Sequence, residues 1–154
     1  MTCQAGREIT RLRINAMLSR IDHIGIAVRD LDQAIRIYER RLGLRSTGRE
    51  RLEREGIEIA MIPIGDSRIE LIMPLNPESS VEKFLQNRGE AVHHVAYATD
   101  DVGASLEQAA SGGAQLLDAV ARPGAHGTRI GFVHPKSVCG VLTEFVEADG
   151  QSGT

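Results

Sequence analysis

The sequence predicts an α+β fold built from two βαβββ modules, and three observations carry that prediction. The segment Asp22-His23-Ile24-Gly25-Ile26-Ala27-Val28-Arg29-Asp30-Leu31 returns as His93-His94-Val95-Ala96-Tyr97-Ala98-Thr99-Asp100-Asp101-Val102, an internal repeat that covers a strand and the start of a helix. Each copy is followed by a later strand-like stretch with a lone glutamate, Arg68-Ile69-Glu70-Leu71-Ile72 in the first half and Leu142-Thr143-Glu144-Phe145-Val146 in the second. Between these landmarks the apolar period switches from two to helical and back to two, in the same order both times.

The first module opens on the alternating strand around His23. Asp30 then caps a helix, with Gln33 placed to reach back in a capping box. Leu31, Ala34, Ile35, Tyr38 and Leu42 share one helical face, and Gly43 ends the helix. Three extended stretches follow, at about 45–54, 57–64 and 67–73, with Gly65-Asp66 turning the last two. A linker over 76–90 carries a short helix capped by Ser79 with Glu82 three residues on, and Val81, Phe84 and Leu85 form its buried face.

The second module repeats the order. A strand over 91–98 leads to a helix after Asp100 or Asp101, which points Val102, Leu106, Ala109 and Ala110 inward and stops at Gly112-Gly113. Strands are expected near 115–120, 128–133 and 141–147. Two loops rich in glycine and proline, 122–127 and 134–140, are expected to be shaped segments at a ligand mouth. The modules run over about 20–75 and 91–148 within one domain at 18–148. Residues 1–17 match nothing in the second copy and are expected to form a flexible N-terminal extension.

With 154 residues, 42% hydrophobic and 25% charged, the composition is that of an ordinary globular domain, and no apolar run reaches the roughly 20 residues of a membrane span. A net charge of -3 with scattered basic residues, and only three Phe, two Tyr and no Trp, exclude a nucleic-acid footprint. Cys3 and Cys139 lack metal-motif spacing and read as free thiols, which places the chain in a reducing, cytoplasmic compartment.

The repeat also carries chemistry. Side chains alternate along a strand, so His23 shares a face with Gly25 and Ala27 while Ile24, Ile26 and Val28 take the other. The second copy does the same: His94 sits with Ala96 and Ala98, opposite Val95 and Tyr97. A lone strand histidine is usually a packed side chain, but here the histidine face is kept small twice, as a ligand cavity requires. Packed about a pseudo-twofold axis, the halves bring together His23, Glu70, His94 and Glu144. That donor set points to one divalent metal ion, of the Co, Mn, Ni or Zn type.

The stretches IDHIGIAVRDLDQAIRIYE, PIGDSRIELIMPLNP, FLQNRGEAVHHVAY and ARPGAHGTRIGFVHPKSVCGVLTEFVE resemble the vicinal oxygen chelate superfamily, and within it the methylmalonyl-CoA epimerase family. The likeness covers nearly all of residues 18–147. It implies a cupped mixed sheet, a metal held by His23, Glu70, His94 and Glu144, an acyl-CoA substrate and a homodimer. It also implies a cytoplasmic location, or the mitochondrial matrix for a eukaryotic source. The implied reaction interconverts (R)- and (S)-methylmalonyl-CoA by removing the proton alpha to the thioester, with the metal as Lewis acid for the enolate.

Such a reaction wants a base on each face of the reacting carbon. Some members of the family place a catalytic glutamate on the second strand, where this chain has Ile59; Glu58 beside it points to the opposite face. Glu70 and Glu144 are therefore expected to divide the proton transfers, and Lys136 and Ser137 are candidates for contact with the substrate. The rival readings are a glyoxalase I acting on the glutathione hemithioacetal of methylglyoxal, and a metal-free binding module of the same fold. Retention of all four ligand-type residues argues against the binding module, and the 78–90 linker and the HPKS loop favour the epimerase.

Overall fold

The computed structural model describes residues 18–148, so the extension expected over 1–17 lies outside the described residues. The first module comprises β1 (Leu18–Ala27), α1 (Leu31–Leu42), β2 (Gly48–Leu52), β3 (Ile57–Ile64) and β4 (Ser67–Pro74). After α2 (Ser80–Arg88), the second comprises β5 (Ala91–Thr99), α3 (Val102–Ser111), β6 (Arg122–Pro123), β7 (Arg129–Val133) and β8 (Thr143–Glu147).

Side-chain caps set the helix starts. The Asp30 carboxylate accepts from the Gln33 amide, Ser79 Oγ from the Val81 amide, and the Asp101 carboxylate from the Ala104 amide. Gly43, at φ 69°, ends α1 in the left-handed region that a glycine adopts without strain.

The eight strands form one mixed sheet in the order β2-β3-β4-β1-β5-β8-β7-β6. β1 runs parallel to β4 and β5 parallel to β8, while β1 and β5 meet antiparallel at the junction of the modules. This is the arrangement that relates the halves by a pseudo-twofold axis. The sheet curls until its two edges approach: Arg122 of β6 reaches Glu55, just beyond β2, at 3.4 Å.

Each helix fills one region of the core. α1 packs Leu31 and Ala34 on Ala60, Ile62 and Leu71 of the first module, and α3 packs Val102 and Leu106 on Val133 and Phe145 of the second. α2 seats Val81 and Leu85 against Ala27, Ile59 and Ile72. Full burial of a Leu or Val side chain stabilises the fold by about 1.5–3 kcal/mol.

Three sequence expectations change. No strand forms over 115–120; Leu116 makes an isolated bridge to Val133, and the regular pairing begins only at Arg122. The reason is local: the Asp118 carboxylate accepts from the Phe132 amide and so replaces a ladder bond, and Leu117 and Asp118 amides both turn to the Phe132 carbonyl. Leu42, expected on the buried face of α1, is 61% exposed at the last turn. Finally, the bulky Ile24 and Ile26 face of β1, which alternation assigns to the core, is only partly buried, and the histidine face is the more enclosed because it lines the closed inside of the curl.

Candidate metal centre and substrate cavity

The register of the central strands places four polar side chains around two small residues. Across the β1–β5 junction, His23 pairs with Ala96 and Gly25 with His94. Along the parallel pairs, Gly25 lies beside Glu70 and Ala96 beside Glu144. Each small residue thus has an imidazole across from it and a carboxylate next to it, and the floor of the curled sheet has room for all four.

All four groups are buried: His23 is 4% exposed, His94 3%, Glu144 5% and Glu70 7%. His23 Nε2 stands 3.0 Å from His94 Nε2 and 3.3 Å from Glu144 Oε2, and His94 Nε2 stands 2.9 Å from the same oxygen. Glu70 is held more loosely, with its oxygens 3.6 Å from His23 Nε2 and 3.9 Å from His94 Nε2.

The charges are tightly matched. Burial pushes the His23 imidazole down, but hydrogen bonds to Asp22 and Glu144 and the nearby carboxylate charges lift it to about 10. Burial pushes Glu144 up, but hydrogen bonds to His23 and His94 bring it down to about 2. For Glu70 burial prevails, and its carboxyl is raised above the ordinary value. The two carboxylates of one site are thereby shifted in opposite directions, Glu70 up by burial and Glu144 down by its imidazole partners.

Two imidazole nitrogens and a carboxylate oxygen, each within 4.8 Å of the others, form a group able to hold a metal ion. Ligand atoms roughly 2.0–2.2 Å from one ion lie about 3 Å from their neighbours in its shell. The His23, His94 and Glu144 atoms already have that spacing, and the donor set of this buried group fits a divalent cation.

The cluster opens on a cavity of about 430 Å³. Leu52, Ile57 and Ile72 from the first module and Ile130 and Phe132 from the second make its lining mostly apolar, and the charged Arg51, Arg54 and Arg122 line it as well. The loop that begins at Arg122 forms one rim. It is held to the other module where His126 pairs with Glu50, its Nδ1 at 3.1 Å and its amide donating at 3.0 Å.

A model of the "Glyoxalase/Bleomycin resistance protein/Dioxygenase superfamily" matches residues 22–132. The chain belongs to this superfamily. Among its relatives, an ethylmalonyl-CoA/methylmalonyl-CoA epimerase of Cereibacter sphaeroides is 32% identical over 83% of this chain and 97% of its own. The mitochondrial methylmalonyl-CoA epimerase of Homo sapiens is 32% identical over 85% of this chain and 75% of its own. A solved Streptomyces coelicolor methylmalonyl-CoA epimerase variant, in complex with 2-nitronate-propionyl-CoA, superposes with a TM-score of 0.84. It is 38% identical, over 89% of this chain and 99% of that one.

Ile59 lies on the site face of β3, paired with Ile72 and 1% exposed among apolar residues, whereas Glu58 faces the other side of β3, where it pairs with Arg49 at 3.3 Å. The substrate candidates of the second module fall away from the cluster. Lys136 and Ser137 lie outside the cavity lining; Ser137 Oγ accepts from the Gln115 amide, and the Lys136 amide donates to His134 Nδ1.

Two residues of the site escape a reading of sequence periods. Asp22 bonds His23 Nδ1 at 2.8 Å, and His93 Nδ1 lies 3.0 Å from His94 Nδ1. Period two would turn both away from their neighbours. The available signal is that a polar residue precedes the histidine in each copy of the repeat.

Proposed function

We propose that this chain is a methylmalonyl-CoA epimerase that uses one divalent metal ion. The observation that carries the reading is the buried two-imidazole, two-carboxylate cluster at the floor of a mostly apolar cavity, in a chain several of whose relatives are named as epimerases of this substrate. A Co, Mn, Ni or Zn ion held by His23, Glu70, His94 and Glu144 supplies Lewis acidity toward the oxygens of the substrate.

The carbon to be inverted lies between a thioester and a carboxylate, and loss of its proton spreads charge onto the neighbouring carbonyl. Glu70 takes the proton on one face: it lines the cavity, and its looser contacts of 3.6 and 3.9 Å leave an oxygen to turn toward substrate. Glu144, related to it by the pseudo-twofold axis, serves the opposite face. Leu52, Ile57, Ile72 and Phe132 keep water from the carbanion, so that the returning proton comes from a carboxyl group and not from solvent.

A homodimer belongs to this reading, because β1 and β5 leave Leu18, Ile21 and Val92 at 37%, 41% and 53% exposure for a second copy to cover. No helix of the described residues is long and apolar enough to cross a membrane, and the exposed free thiol of Cys139 supports a reducing, cytoplasmic setting.

The test starts from a single stereoisomer of methylmalonyl-CoA with metal-loaded protein, and follows appearance of the other by a stereospecific coupled assay. Racemisation is expected. Turnover of the methylglyoxal–glutathione hemithioacetal, with no change in methylmalonyl-CoA, would replace this reading with that of a glyoxalase I.

A further inference from the structure

The antiparallel ladder between β1 and β5 slips at three places, once near its end between Leu18 and Arg20 and twice beside the cluster. From Ile21↔Tyr97 to His23↔Ala96, β1 advances two residues against one of β5; from Gly25↔His94 to Ile26↔Val92, β5 advances two against one. The extra residues beside the cluster are Asp22 and His93. A bulge lets consecutive side chains depart from strict alternation, which period two forbids. Each bulged residue stands immediately before a histidine of the cluster, and each turns its side chain to the Nδ1 atom of that histidine.

We propose that Asp22 and His93 are positioning residues that fix the orientation and tautomer of His23 and His94, so that both Nε2 atoms serve the metal. The inference rests on the metal site proposed above. In the first module, Asp22 is buried and its two oxygens are taken by Arg20, Arg68 and His23 at 3.2, 2.6 and 2.8 Å. A carboxylate between two guanidinium groups has no proton to give. His23 Nδ1 must therefore donate, which leaves Nε2 to coordinate.

In the second module the partner is neutral. His93 lines the cavity beside His94 and packs edge-on against Phe84, with ring centroids 4.9 Å apart. For His94 Nε2 to coordinate, its Nδ1 must carry the proton and His93 Nδ1 must accept it. His93 then holds its own proton on Nε2. The pseudo-twofold halves thus supply unequal ligands: an imidazole backed by an anion, and one backed by a neutral ring.

The test measures zinc affinity by chelator competition and assigns the ring nitrogens of the zinc-loaded protein by long-range ¹H–¹⁵N correlation. In the wild type, both His23 and His94 are expected to show Nδ1–H with Nε2 on zinc. His93→Phe keeps a ring but removes the acceptor, and zinc affinity is expected to fall roughly 10–100-fold. His93→Gln restores an acceptor oxygen and should recover most of the loss; Asp22→Asn should lie between wild type and Asp22→Ala.

Zinc on Nδ1 of either ring in the wild type would overturn the proposal, even if the variants fail to fold. So would folded His93→Phe and Asp22→Ala proteins that bind zinc within twofold of wild type. A wild type that takes up no zinc would overturn the metal site itself, which is a distinguishable result.

Discussion

The imidazole of His94 lies over Gly25, its pairing partner across β1 and β5: a Cβ placed on Gly25 would stand 2.2 Å from the ring. Glycine is needed here for close approach of a side chain and not for backbone freedom. The contacts of His94 with His23 and Glu144, at 3.0 and 2.9 Å, depend on where that ring lies.

Gly25→Ala is therefore expected to push His94 out of place. Overpacking of this kind costs about 1–3 kcal/mol, and the loss should fall on the site more than on the fold. Zinc affinity by chelator competition should drop at least tenfold while the far-ultraviolet circular dichroism stays that of the wild type.

The repeat makes the small histidine faces readable before the fold is known, though not the pairing that lays His94 over Gly25. Alternation puts Gly25 and Ala96 on the histidine faces, and the lone glutamates fall beside those small residues in the parallel pairs. The caps at Asp30, Ser79 and Asp101 are equally legible, because a short polar side chain before an apolar helical face has one local use. Asp22 and His93 are not legible, because the bulges that aim them arise from pairing between strands some 70 residues apart. The same holds for 115–120, where propensity favours a strand but the Asp118 side chain takes the place of the ladder.

Protonation of the cluster sets the pH dependence of the chelator-treated protein. His23 is lifted from 6.5 to about 10, so its contribution to stability is full below pH 6.5 and is lost as pH rises through about 10. Glu144 is drawn from 4.5 to about 2, so its contribution is full above pH 4.5 and is lost as pH falls through about 2. The thermal midpoint should plateau between those ranges and decline on both sides. Zinc should flatten the alkaline decline, since it takes the place of the His23 proton, and its affinity should weaken as pH falls.

The core should respond independently of the site. Leu106 is 1% exposed between α3 and β7, where it packs over Gly131. Leu106→Ala is expected to cost about 2–5 kcal/mol in denaturant unfolding. Zinc affinity of the folded variant should be unchanged, because Leu106 belongs to the apolar cluster on the far side of β7 and β8.

Ile59 cannot take a proton, and the proposed mechanism gives the second base to Glu70. Ile59→Val should cost only about 0.5–1.5 kcal/mol of stability and leave turnover within a few-fold. Glu70→Gln retains an oxygen ligand while removing the acceptor, and should lose roughly 10²–10⁴-fold in kcat. Metal content of the purified variant, measured by mass spectrometry, should match the wild type.

The most direct measurement of the central claim is proton–deuterium exchange at the alpha carbon of each methylmalonyl-CoA stereoisomer in heavy water. Metal-loaded wild type should exchange both isomers, and chelator-treated protein neither. Glu70→Gln and Glu144→Gln should each lose exchange of opposite isomers, one face apiece. Full exchange of both isomers by metal-loaded Glu70→Gln would contradict the account and place the second base elsewhere.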